Sequence, residues 1–108
     1  MANTFKLKTK KNVGVTTAPL YVVPSSTTTV VIGITAANIS GNNINVGIGI
    51  TRSSADDIHL MKNIPIPQGS SFEFMQGNKV VLETTDTITA KSDVNNSIDV
   101  ALTIMEIT

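Results

Sequence analysis

Along this chain, apolar residues recur most often at every second position, the spacing of a strand with one buried face. The cleanest run is Ile44 to Thr51. Ile44, Val46, Ile48 and Ile50 fall on one side, and Asn45, Gly47, Gly49 and Thr51 on the other. Before it, Thr27 to Ile39 predicts a long strand with Val30, Ile32, Ile34 and Ala36 on one face and Val31, Gly33 and Thr35 on the opposite face. Ser40-Gly41-Asn42-Asn43 separates the two runs with residue types that accept the positive φ of a tight turn, so the pair predicts a hairpin. In the last run Ile98, Val100, Leu102 and Ile104 form one face, yet Ala101, Met105 and Ile107 make the other partly apolar. Such a strand is better buried twice, as core or as a subunit contact.

The remaining signals are shorter. Asn3 to Lys8 alternates weakly, as a first edge strand would, and Gly14, Pro19 and Pro24 then punctuate the chain around Leu20–Val23. Ile58 to Lys62 reads as a short strand, with Ser53–Met61 the one stretch that would accommodate a helical turn. Ile64 to Gly69 cannot be an interior strand, because Pro65 and Pro67 lack ladder donors. Phe72 and Phe74 alternate with polar residues up to a turn at Gln76-Gly77-Asn78, and Val80–Glu83 and Thr87–Lys91 follow. Seven or eight short strands with turn signals between them predict a single antiparallel β-sandwich or jelly-roll-like domain.

Composition supports that fold class. Among 108 residues there are 13 Ile, 11 Val and 15 Thr against 5 Leu, and β-branched side chains suit a pleated surface better than a helix. With 41% hydrophobic but 4% aromatic residues, the core must be aliphatic and, at this length, modest. No cysteine is available for a disulfide or thiolate site, which leaves oligomerisation as the natural further source of stability.

Charge is balanced overall and polarised along the chain. Residues 1–55 carry Lys6, Lys8, Lys10, Lys11 and Arg52 without an acid, and residues 56–108 carry all eight acids with three lysines. Residues 1–12 have two readings: an edge strand protected by its lysines, or a basic arm that docks on an acidic neighbour such as another copy. Residues 13–108 form the sandwich. Nucleic-acid binding would need a wider basic footprint with stacking aromatics. Met1–Asn12 has no apolar segment of the kind a secretion signal needs, and the longest apolar stretch, Val30–Ile34, is too short to span a bilayer. The expectation is a protein made in a cytoplasm, without membrane contact.

Candidate chemistry is sparse. His59 is the single histidine, and on a strand Asp57 would share its face; a lone histidine needs a nucleophile or substrate beside it. Asp56 and Asp57 are adjacent in a polar loop. Asp93, Asn95 and Asn96 offer loop oxygens for a weak Ca²⁺ site, although their spacing fits no known cation loop. Gly47-Ile48-Gly49 lacks the third glycine and the helix of a dinucleotide fingerprint. No cofactor and no enzymatic activity are expected. The residues singled out instead are for contact: Lys6, Lys8, Lys10 and Lys11; Tyr21 as a single anchor; Gly47 and Gly49, which bare one face of a strand to another backbone, a ring or a tight bend; and Met105 and Ile107.

The run Thr27-Thr28-Thr29-Val30-Val31-Ile32-Gly33-Ile34 before a polar turn, the proline-flanked Ile64–Gly69 before an aromatic strand, Gly77-Asn78-Lys79-Val80-Val81-Leu82-Glu83, Asp86-Thr87-Ile88 and the closing Ile104-Met105-Glu106-Ile107-Thr108 together resemble small virion structural proteins of tailed bacteriophages, notably marine cyanophages. The resemblance covers most of the chain as a pattern of strands and turns, and it fixes no binding residue. It implies a non-enzymatic β-sandwich subunit of the virion, self-associating (in a trimer, for instance) and bound to a major capsid protein as decoration or cement. A neck, tail or baseplate subunit bound to tail or neck proteins is the alternative, as is a receptor- or carbohydrate-binding module.

Overall fold

The computed structural model describes residues 3–52, 57–73 and 79–108. The turn expected at Gln76–Asn78, together with Phe74, Met75, Asp56 and the rest of the loop at 53–56, lies outside them. Nine strands follow one another: β1 (Asn3–Val13), β2 (Ala18–Val22), β3 (Thr28–Asn38), β4 (Ile44–Thr51), β5 (Ile58–Ile66), β6 (Ser71–Glu73), β7 (Val80–Leu82), β8 (Thr87–Ser92) and β9 (Ile98–Ile107). Among the described residues there is no helix, and Ile58–Met61, where a helical turn would have fitted, is strand.

Two antiparallel sheets stack face to face. Sheet A has the order β1-β9-β3-β6, with β7 also on β3, and sheet B the order β2-β8-β4-β5. The pairing is nested: the first strand takes the last, β2 takes β8, β3 takes β6 and β7, and β4 takes β5. A chain doubled back on itself and then rolled gives this order, which is that of an eight-strand jelly roll, with the sixth position divided between β6 and β7. The core between the sheets is aliphatic, built on Val31, Ile34, Ile44, Val46, Ile48, Ile88, Leu102 and Ile104. Strands of ten or eleven residues at about 3.3 Å each account for most of the long axis of the 45 × 25 × 21 Å molecule.

The expected hairpin of Thr27 to Thr51 does not form. Both strands exist close to their expected limits, but β3 lies in sheet A and β4 in sheet B, so residues 39–43 cross the sandwich. Their ladders are already filled, β3 by β9, β6 and β7 and β4 by β8 and β5. Asn38 fixes the crossing: its Nδ2 donates to the carbonyls of Asn42 and Ile66, and its Oδ1 accepts from the Ser40 amide and hydroxyl. No residue from Ser40 to Asn43 has a positive φ.

The predicted faces of β3 also need correction. Thr29 and Val31 are buried, then Ile34, Ala36 and Asn38, so Val30 and Ile32 do not share a face with Ile34. A bulge between Val31 and Gly33 inserts one residue and exchanges the faces beyond it. Glu73 bridges the break, accepting from the Ile34 amide at 3.0 Å and the Thr35 hydroxyl at 2.7 Å. β4 and β9 keep their predicted alternation without interruption. β5 runs through Pro65 because it is an edge strand, where a missing donor faces outward.

Candidate interaction surfaces

The structure gives the N-terminal lysines separate environments. Residues 3–13 are the edge strand of sheet A, paired with β9 alone. Lys6 stands opposite Ile104 and Lys8 opposite Leu102, both buried, so these lysines leave the inner side of the sheet at its open rim. Lys6 Nζ binds the Glu106 carboxylate of its own chain at 2.8 Å, and Lys8 lies 5.9 Å from the centre of the Tyr21 ring. Lys10 and Lys11 border a shallow depression on the outer face with Thr35, Ala37 and Asp99.

Tyr21 is not available as a contact anchor. It is 8% exposed, and from sheet B its hydroxyl donates to Glu106 and meets Thr29 Oγ1 at 2.9 Å, joining the two sheets. Burial first, then the Glu106 carboxylate, raises its pKa to about 12. The same contacts act oppositely on Glu106: bonds from Lys6 and then Tyr21 hold its carboxyl below the usual range. A buried carboxylate is tolerated because cation and hydroxyl both reach it.

With Lys6 and Lys8 turned inward, Phe5 and Leu7 point outward, 69% and 64% exposed. Register places Phe5 opposite Met105, Met105 opposite Val30, and Val30 opposite Val81. Val81 is 61% exposed. An uncharged apolar row therefore crosses all four strand positions of sheet A on its outer side, flanked by Leu7 and Ile107. Sequence alternation marked Met105 and Ile107, but their partners Phe5, Val30 and Val81 become neighbours only through non-local pairing.

The outer face of sheet B differs. Gly47 and Gly49 form the floor of a concavity of about 410 Å³ whose walls include His59, Lys62, Asn63, Thr89 and Lys91, with Asp57 and Asp93 also on its lining. The two glycines have different reasons. A Cβ on Gly49 would stand 3.0 Å from the Ile58 carbonyl oxygen and 3.3 Å from Thr89 Oγ1, so the chain's own edge strand occupies that space; on Gly47 it would meet only the Met61 carbonyl oxygen, at 3.5 Å. Asp57 and His59 share this face, but the carboxylate of Asp57 accepts from the Arg52 amide at 2.8 Å. Asp93 accepts from the amide and side chain of Asn45, and the Asn95 side chain accepts from the Val15 amide, which gives these loop oxygens structural partners.

No protein-family model matches the chain, and no curated protein matches it. Among solved structures it is similar to a chain from Bacillus endospore appendages, described as a novel family of disulfide-linked pili, with 14% identity and a TM-score of 0.60 over 99% of this chain and 87% of that one. At that identity the likeness is one of fold. Among the described residues no helix is long and apolar enough to cross a membrane.

Proposed function

We propose that this protein is a non-catalytic structural subunit that self-associates through the outer face of sheet A. The observation that carries this reading is the Phe5–Met105–Val30–Val81 row. Scattered exposed apolar residues are ordinary, whereas a contiguous uncharged stripe is a surface that gains by being covered. Because the stripe bears no charge, two copies can meet through the same patch without like-charge repulsion. The fold shared with a pilus protein fits a many-copy role, although disulfide linkage has no counterpart in a chain without cysteine. In the finer reading the assembly is a phage particle, with the protein as a capsid decoration subunit and Lys10 and Lys11 meeting an acidic site on the major capsid protein. That step rests on the resemblance of strands and turns to virion proteins.

Light scattering after size exclusion tests the first part. The full chain is expected to run above monomer mass, and Phe5→Asp with Met105→Glu to run as a monomer with an unchanged circular dichroism spectrum. A wild-type chain that stays monomeric at its highest soluble concentration would sink the reading. Immunogold labelling of intact phage particles tests the second part, with gold expected over the head.

A further inference from the structure

We propose that the concavity on the outer face of sheet B binds the carboxylate or sulfate group of an acidic saccharide, held over Gly47 between Lys62 and Lys91. Gly47 is the starting point. It lies in the middle of β4, a central strand, where a β-branched residue would be favoured. Its φ is not positive, and the space above it would admit a Cβ at ordinary contact distance. Neither backbone conformation nor packing asks for glycine at this position, in contrast to Gly49.

The neighbours explain the vacancy. Lys91 on β8 is the register partner of Gly47. On the other side, β5 carries one extra residue between the pairs Val46–Ile64 and Ile48–Met61, a bulge with Asn63 at φ 55, which sets Lys62 beside Gly47. Bulges on edge strands commonly re-aim a side chain in this way. Strands lie about 4.8 Å apart, so the backbones of β5 and β8 are separated by roughly 10 Å across the bare glycine, and two lysine side chains from opposite walls can converge on one oxyanion.

Among the described residues neither lysine is paired with a carboxylate. The two acids on the lining each accept a hydrogen bond from the chain, Asp57 from the Arg52 amide and Asp93 from the Asn45 amide. His59, opposite Gly49, adds a further donor. The volume of about 410 Å³ falls in the range of ligand sites and is more than ten times the ~30 Å³ share of one water, so a lone inorganic ion would leave most of it unused. Asn63 and Thr89 add side-chain groups that match hydroxyls, beside Ile50 and Ile58 on the same lining. An acidic sugar has both parts, an oxyanion and a hydroxylated body.

The test uses the full chain and amide chemical shifts, with trigalacturonate, neutral galactotriose and inorganic phosphate as probes. Trigalacturonate is expected to shift the amides of Gly47, Lys62, Thr89 and Lys91, and to bind more tightly than either control. Gly47→Val fills the floor while suiting a strand, so it is expected to fold at least as stably as wild type and to bind roughly tenfold or more weakly. Lys62→Gln with Lys91→Gln is expected to do the same, as charged hydrogen bonds are lost. Absence of shifts at these amides, or unchanged binding by folded Gly47→Val, would overturn the site. Phosphate binding as tightly as the trisaccharide would overturn the sugar as its ligand. None of these variants touches the apolar row on sheet A, so failure here leaves the self-association reading standing.

Discussion

The two sheets use the same inner face and opposite outer ones. Inside, both present Ile, Val and Leu to a common core. Outside, sheet A lines up Phe5, Met105, Val30 and Val81, and sheet B exposes bare backbone at Gly47 between two lysines. A jelly roll needs only one face of each sheet, so the other is free to carry whatever contacts assembly or ligand requires. The difference shows that outward residues, which contribute little to the core, are where the function of this domain is to be sought.

The largest effect should separate inside from outside on a single strand. Ile104→Ala removes a fully buried side chain and is expected to destabilise by about 2–5 kcal/mol in urea unfolding. Met105→Ala, one residue along on the outer face, is expected to cost under about 1 kcal/mol to the monomer while weakening self-association. Equal losses from the two would break the comparison.

A middle-sized effect tests whether β1 is pinned, since Phe5 and Leu7 face outward only if it is. Glu106→Ala removes the carboxylate shared by the Tyr21 hydroxyl and Lys6 and is expected to cost roughly 1–3 kcal/mol. Tyr21 is the single tyrosine and there is no tryptophan, so ultraviolet absorbance titrates this phenol alone. Its midpoint is expected at about 12 in the folded protein. Because that value is raised, the neutral phenol contributes stability below the unfolded value of 10, and the contribution is lost as pH climbs toward 12. Glu106 has the opposite sign. Its lowered pKa contributes stability above the unfolded carboxyl range, lost as pH falls through the folded value, so Glu106→Gln should flatten the acid limb of a stability–pH curve. A phenol titrating at its ordinary value would mean that β1 and β2 do not close over Glu106.

The smallest effect distinguishes the two glycines. Gly49→Ala forces a Cβ against the Ile58 carbonyl and is expected to destabilise by about 1–2 kcal/mol. Gly47→Ala is expected to be neutral or to stabilise by up to ~0.5–1 kcal/mol, since glycine is costly inside a strand. Thermal melts of both variants check the pair, and a loss at Gly47 as large as at Gly49 would give the open floor a packing reason.

Much of the fold was legible locally. Alternation marked β4 and β9 with their buried faces, because a half-buried strand writes its orientation at every second residue. β-branched composition without cysteine or helical periodicity gave the class, and the prolines kept Ile64–Pro67 away from a sheet centre. The candidate surfaces were half legible: Met105, Ile107 and Gly47 stood out as residues at odds with their strands. Lys62 and Lys91 did not, since nothing in a sequence says that two lysines 29 positions apart flank the same glycine.

What the sequence determined by itself is therefore local: which residues are extended, and which side of most strands is apolar. Tertiary structure decided how the strands are shared between sheets, turning the expected hairpin into a crossing at Asn38, and where a bulge at Ile32 exchanges faces. It also turned a run of lysines into a rim whose first member binds Glu106, one hundred residues away. Turn residues permit a reversal without choosing its partner. That choice belongs to ladders and buried faces completed by distant strands, whose pairing carries no local signature.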